Sequence, residues 1–593
     1  MTLTIKKLVA TKKLEYLVPI LATLSLITAC IIVSSKKFFW NDELFSYYFL
    51  ADSSFGHMMV AFHDKLNNTP ALYFILGWLW ARVFSASELS LRLLSSLGFC
   101  IALWITWLTL RRTYGFWSAS IATLSIFCTS KIILYQNSEA RMYGLYMTIG
   151  ALILMQFDLN NRTKRCSRWI LISNFLIQTA LVHTHLHGLF FGVATLGSQI
   201  IRDIYFGSFR PRLYLSFVAG WLTLIFYIPA FLVQADAGNP KSWLAVPGIQ
   251  DLVNFVSIFP SVYFNFSILM LLILLSGMQF FYKPEEAIDS VKPEIRDRNI
   301  SEKKGFLILA FSFLIISLAV WLISRTIKPI FYDRYLLPTQ LALGILIAHF
   351  FSNVFSSYFA EASYQRARKF LGLLMKPLQV GLCVILTMMM LAPIFDAIFY
   401  RGNFLSGEDD GRYGYTDLPI VTQGSSKFLE RFYNTPKSRN RYFFVLDRQV
   451  AESPVGGQFS LQEYKHHDAF RRVYPEIFKD NIVEGEVFLK KYSKFLVVDY
   501  PRYDRACPLG AIGIGNLGST WKNMHCPQWI EMRILHNPTY KVTVLGPIHK
   551  QFTETRNGPL AEPKGDEILL LVETKSAAEI SQKATNQTEV SKS

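Results

Sequence analysis

Long apolar runs recur through the first 399 residues, and they decide what the chain can fold into. About 20 mostly apolar residues cross the hydrocarbon core of a bilayer as a helix. Such a run stands at 14–33, and others follow near 71–85, 89–110, 116–134, 141–157, 169–186, 188–203, 213–233, 257–281, 305–324, 335–354 and 377–399. With 593 residues, 51% of them hydrophobic and only 17% charged, the chain cannot be one soluble core. Its 48 Phe and 12 Trp exclude disorder, and 7 Cys over the whole length exclude a disulfide scaffold. What remains is a polytopic membrane protein with an attached soluble part. The first run follows Lys6, Lys7, Lys12 and Lys13, and Ile27-Thr28-Ala29-Cys30 has the shape of a lipoprotein cleavage box. The run continues past Cys30, so an uncleaved first helix is expected.

The net charge of +17 resembles a nucleic-acid signal, but its distribution excludes that partner. Residues 400–593 are nearly balanced, with 26 Lys and Arg against 23 Asp and Glu. The excess lies in short loops between apolar runs, as the positive-inside rule requires. The short run 71–85 contains Arg82. If it lies along the membrane surface, one side collects 23 Lys and Arg in its loops and the other only 8. If it crosses, that asymmetry is scrambled. The expectation is therefore eleven spans, a cytoplasmic amino terminus and a long first outer loop at 34–88. The transmembrane domain then covers 1–399.

After Tyr400 charges, Gly and Pro become frequent and short β-type runs appear at Tyr442–Leu446, Phe495–Val498, Val542–Leu545 and Ile568–Val572. A helical pattern lies around Ser426–Tyr433. Residues 400–573 are expected to form a small α/β domain outside the membrane, followed by a disordered tail at 574–593. Cys507 and Cys526 are its only cysteines and are candidates for a disulfide in an oxidising compartment. The fold class is thus an all-α polytopic membrane domain plus a small carboxyl-terminal α/β domain.

The polar residues that remain fall at the outer ends of the spans. Trp40-Asn41-Asp42-Glu43 reads as a helix cap, with Asn41 or Asp42 capping, or as a general base in a pocket at the membrane surface. Asn68 or Thr69 with Pro70 reads as the start of a helix. In Ser138-Glu139-Ala140-Arg141-Met142-Tyr143, Glu139 and Arg141 form a plain surface pair, or Arg141 grips a lipid phosphate. In His183-Thr184-His185-Leu186-His187, His183 and His187 share a helix face at i, i+4. The glutamate of a zincin motif is missing, so structural histidines or a polar cavity wall compete with a metal site. Asp333-Arg334-Tyr335 repeats the acid, arginine and tyrosine design at the next-to-last span. A phosphate-linked lipid substrate would need this equipment: cations for the phosphate and a carboxylate for the acceptor.

These motifs resemble the GT-C superfamily of integral-membrane glycosyltransferases. The resemblance is to its bacterial branch, related to dolichyl-phosphate-mannose-protein mannosyltransferases and to lipid A aminoarabinose transferases. The residues that carry it are Asp42-Glu43, Thr69-Pro70-Ala71-Leu72-Tyr73, Leu91-Arg92-Leu93, Glu139-Ala140-Arg141-Met142-Tyr143, His183-Thr184-His185 and Arg334-Tyr335-Leu336-Leu337-Pro338. It implies a polyprenyl-phosphate-linked sugar as donor and an extracytoplasmic acceptor (lipopolysaccharide, other polysaccharide, lipid or protein). Asp42 would activate the acceptor with inversion, and Glu43 would support it. Arg141 and Arg334 would bind the donor phosphate. Glu139, Tyr143, His183, His185 and Tyr335 would bind substrate. The implied place is the bacterial inner membrane with a periplasmic carboxyl-terminal domain. No cofactor is certain, and a divalent metal stays open. Some relatives carry Pro-Pro or a Lys where Asn68-Thr69-Pro70-Ala71 stands here. Two other classes compete: a lipid-linked sugar transporter or flippase, and a polymerase or ligase using a lipid-diphosphate oligosaccharide.

Overall fold

The structure, a computed structural model, describes residues 14–163, 166–237, 244, 246–254, 293–361, 367–400, 413–422, 424–453, 460–499, 529–535, 537–547 and 568–576. The chain divides into two compact units. The first is Met1–Lys36, Thr69–Ile228 and Val246–Arg401; the second is Lys37–Asn68, Pro229–Ala245 and Gly402–Ser593. The first loop, with Asp42 and Glu43, clusters with the carboxyl-terminal domain rather than with the helices that flank it.

The first unit is helical and makes the chain a multi-pass membrane protein. Among the described residues, Leu17–Ser34, Glu88–Tyr114, Ile300–Thr326 and Val380–Phe399 are long and apolar enough to cross a bilayer. The count is six if Phe116–Thr129 with Lys131–Asn137, and Pro211–Phe226 with Ile228–Ala237, are each one bent span. Helix Leu72–Phe84 has 13 residues. Its length of about 20 Å falls short of the roughly 30 Å core. It begins after Ala71 rather than at Pro70, so neither Asn68 nor Thr69 is its cap.

Helix Glu88–Tyr114 packs along Tyr143–Arg162, and Leu17–Ser34 packs between Glu88–Tyr114 and Ala367–Phe399. The first pair meets through small residues. A side chain at Gly98 would strike the backbone of Gly144, and one at Gly144 would strike the Ser95 carbonyl. Close approach of this kind drives helix association in lipid, where no hydrophobic force acts between helices. The Thr148 hydroxyl donates to the Gly98 carbonyl at 2.6 Å across the contact. Lys36 caps the end of Ala367–Phe399 by donating from Nζ to the carbonyls of Ala397, Ile398 and Tyr400.

The second unit holds a six-stranded sheet of β1 (Ile420–Thr422), β2 (Tyr442–Leu446), β3 (Ile482–Glu484), β4 (Lys494–Asp499), β5 (Tyr540–Pro547) and β6 (Ile568–Thr574). Its order is β3-β2-β1-β4-β6-β5, with β1 to β4 parallel and β6 antiparallel to both β4 and β5. The four expected strands are present. β1 and β3 have three residues each and give no readable alternation. Val421, Phe443, Val445, Phe488, Phe495, Val497, Leu570 and Val572 form the core. Cys507 and Cys526, and most of the expected tail, lie outside the described residues; the five described cysteines are not joined in disulfides with one another.

Helix Ser460–Val473 brings a pH response to this unit. His467 lies flat on Phe444, ring centroids 3.8 Å apart, and its Nδ1 bonds the Glu463 carbonyl at 2.8 Å. Burial pushes His467 down to about 3 and His466 down to about 4, while burial pushes the Glu463 carboxyl up to about 7. Each depressed histidine contributes stability that is present above 6.5 and lost as pH falls toward its folded value. Glu463 acts oppositely, contributing below 4.5 and losing that as pH rises toward 7. Two histidines outweigh one carboxyl, so the unit weakens as pH falls below 6.5. Thermal unfolding against pH checks this. His467→Phe keeps the stack on Phe444 and is expected to flatten the acid slope; an unchanged slope would show that His467 is not the titrating group.

Candidate active site

The helical unit brings most of its predicted polar residues together at one end. Tyr143 opens helix Tyr143–Arg162, after the turn that carries Glu139 and Arg141. Glu139 and Tyr143 are fully buried, and the Arg141 amide donates to the Glu139 carbonyl at 2.8 Å. Arg334 and Tyr335 lie in a short 3₁₀ turn, Asp333–Leu336, just before helix Thr339–Glu361. The Arg334 guanidinium is 6% exposed and lies over two rings, 5.7 Å from Tyr143 and 4.9 Å from Tyr332. Such stacking suits a planar cation in a poorly hydrated place.

His185 joins this cluster. Its ring lies 5.1 Å from Tyr146, 4.9 Å from Tyr335, 6.3 Å from Tyr143 and 5.2 Å from His187. The His187 amide donates to His185 Nδ1 at 3.1 Å. That nitrogen therefore carries no proton, and the imidazole is neutral with its hydrogen on Nε2. His187 bonds the Ile330 carbonyl through Nε2 at 2.9 Å, and Tyr146 donates to the Tyr335 carbonyl at 3.4 Å. These bonds tie the turn at 330–336 to two helix ends.

The expected shared helix face of His183 and His187 is corrected. One helix ends at Thr184 and the next starts at Gly188, with His185 extended between them. His183 faces elsewhere and bonds Thr223 Oγ1 at 3.1 Å. No group of three or more His, Cys, Asp or Glu that could hold a metal ion exists among the described residues. Tyr146 escaped the sequence reading, although it lies three residues after Tyr143 and so on the same helix face.

Asp42 and Glu43 stand in the first turn of helix Asn41–Leu50, in the other compact unit. The residue at the cap is Trp40, not Asn41 or Asp42. Glu43 is fully buried; its Oε2 accepts the Trp40 amide at 3.4 Å and lies 4.0 Å from the buried Lys37 ammonium. The arrangement gives Glu43 a capping and ion-pairing task. Asp42 is partly exposed, at a helix start where backbone N–H groups favour negative charge.

Fold and site define a multi-pass membrane protein with a cation, neutral histidine and tyrosine cluster at one end of its helices, and with an acidic pair on a loop that belongs to its second unit. No family model matches the chain, and no curated protein matches it. Among solved structures it is similar to ArnT from Cupriavidus metallidurans bound to undecaprenyl phosphate, at 13% identity and a TM-score of 0.44 over 81% of this chain and 92% of that one. The apo form of the same protein gives 13% identity and 0.45 over the same shares. The Archaeoglobus fulgidus oligosaccharyltransferase tethered to an acceptor peptide gives 12% and 0.36 over 82% of this chain and 69% of that one.

Proposed function

We propose that the chain is a glycosyltransferase that moves a sugar from a polyprenyl-phosphate donor to an acceptor hydroxyl on the outer side of the bacterial inner membrane. The observation that carries this reading is Arg334, a buried guanidinium stacked on Tyr143 and Tyr332 beside the neutral His185. Buried cations in apolar helical bundles mark functional sites, and guanidinium matches phosphate in shape and charge. A tyrosine-rich wall with one neutral imidazole suits sugar hydroxyls, since each ring offers an apolar face and a polar edge.

In the proposed reaction Asp42 takes the proton of the acceptor hydroxyl as its oxygen attacks the anomeric carbon. The carbon–oxygen bond to phosphate breaks, and the polyprenyl phosphate leaves with the bonding pair and one more negative charge. Inversion follows from a single displacement. Arg334 and Arg141 stabilise the growing charge, which is larger in the transition state than in the donor. Glu139, Tyr143, His185 and Tyr335 hold the substrate, with His183 further out. Glu43 fixes the helix start next to Asp42. The carboxyl-terminal domain lies on the same outer side, and the amino terminus in the cytoplasm.

Mass analysis of surface glycans in a deletion strain identifies the sugar and the acceptor. Synthetic undecaprenyl-phosphate monosaccharides, assayed with that acceptor and the purified full chain, then give rates. Arg334→Ala is expected to lower turnover by about 10²-fold, and Arg334→Lys to recover part of it as a point charge without the planar fork. Transport of the lipid-linked sugar in liposomes without covalent transfer would overturn the reading, and a requirement for a diphosphate donor would replace it with the polymerase or ligase class.

A further inference from the structure

The second unit explains how the helix that carries Asp42 is held. Helix Asn41–Leu50 has no side-chain cap from its own N-cap residue, Trp40. The first amides of a helix lack partners within it, so something else must satisfy them. Here the Asn41 amide donates to Glu430 Oε1 at 3.2 Å, and the Ser425 hydroxyl donates to Asn41 Oδ1 at 3.2 Å. Both partners belong to helix Ser425–Asn434 of the carboxyl-terminal domain, more than 380 residues further along the chain.

That helix is a firm support. Phe428, Leu429 and Phe432 are buried, and Phe428 packs on Phe444 of β2. Tyr433 packs on Phe39 and Tyr47, on either side of the segment 40–43. Ser425 is itself fixed, since its amide donates to Glu463 Oε1 at 2.9 Å. The carboxylate of Glu430 also lies where the helix dipole favours an anion.

We propose that Glu430 and Ser425 are positioning residues: the carboxyl-terminal domain sets the start of the helix on which Asp42 stands. This rests on the reading of Asp42 as the base. A misplacement of about 1 Å at a reacting group costs up to about 10²-fold in rate, so the cap acts on turnover rather than on donor binding.

The test uses the full chain in lipid nanodiscs, with hydrogen exchange of the segment 41–43 and steady-state transfer from undecaprenyl-phosphate monosaccharide to the glycan isolated from the deletion strain. Glu430→Ala is expected to speed exchange about tenfold, the loss of one hydrogen bond. Its kcat is expected to fall by about 10- to 100-fold with KM for the donor nearly unchanged. Glu430→Gln keeps an acceptor oxygen and restores both readouts. Arg472→Ala breaks the bonds to Asp64 at 2.9 and 3.1 Å, another tie between the loop and this domain, and is expected to leave kcat near wild type. Faster exchange with unchanged kcat, unchanged exchange, no rescue by Gln, or an equal loss in Arg472→Ala would each overturn the proposal. Failure of the underlying reading looks different: Asp42→Asn stays active, or the wild type transfers no sugar, while the exchange result stands.

Discussion

Asn in place of Asp42 is expected to lower sugar transfer by about 10³-fold while the protein inserts, folds and binds donor as before. The amide matches the carboxylate in size, so the first turn of helix Asn41–Leu50 and its tie to Glu430 stay in place. What is lost is the capacity to take the acceptor proton. Donor affinity is expected to hold, because phosphate recognition falls to Arg334 and Arg141, so the effect sits in kcat. Glu43→Gln separates the two acids. Glu43 is buried against Lys37 and the Trp40 amide, and its loss is expected to lower stability and turnover together. Steady-state transfer and a thermal unfolding curve on the same samples distinguish the two patterns. Wild-type transfer by Asp42→Asn would remove it as the base.

Asp203→Ala carries the largest expected loss of stability. Asp203 is fully buried near the end of helix Gly188–Tyr205, and His187 caps the start of that helix. It receives Arg210 through two bonds, at 2.9 and 2.7 Å, and also Tyr214 at 2.8 Å, Gln199 at 3.0 Å and Arg202 at 3.2 Å. Arg210 continues to the carbonyls of Asn160 and Thr163 at 2.6 and 3.2 Å. One carboxylate thus joins the ends of three helices. Removing it leaves two guanidinium groups in a largely buried place without their counter-charge, which costs about 3–5 kcal/mol. Unfolding in detergent measures this. Adding Arg210→Leu is expected to recover part of the loss, since the pair is coupled. Asp203 lies about 24 Å along the helix axis from His187, at 1.5 Å per residue, so the folded fraction should keep its turnover. A variant as stable as wild type would show that Asp203 is not the centre of the network.

Much of the fold was legible because it is written locally. A run such as Leu17–Ser34 states its own environment, and the strands β2, β4, β5 and β6 state theirs by length and residue type. The acid, arginine and tyrosine motifs were legible too, since a charge at the end of an apolar run is conspicuous. Other features were not. Arg162, Arg202 and Arg210 count in the sequence as loop charges that report orientation, but in the structure they are ion-paired with Asp158, Glu302 and Asp203. His183 and His187 have the spacing of one helix face, yet the backbone breaks between them at His185.

The sequence by itself determined that this chain spans a membrane, that a small α/β domain follows, and which few charges stand out, because burial in lipid and strand formation depend on composition within a short window. Only the tertiary structure decided which of those charges meet. It put His185 among Tyr143, Tyr146 and Tyr335, buried Glu43 against Lys37, and brought Glu430 to the amide of Asn41. Such partners lie up to hundreds of residues apart, and no local spacing encodes them; they follow from how helices and sheet pack once their apolar faces are buried.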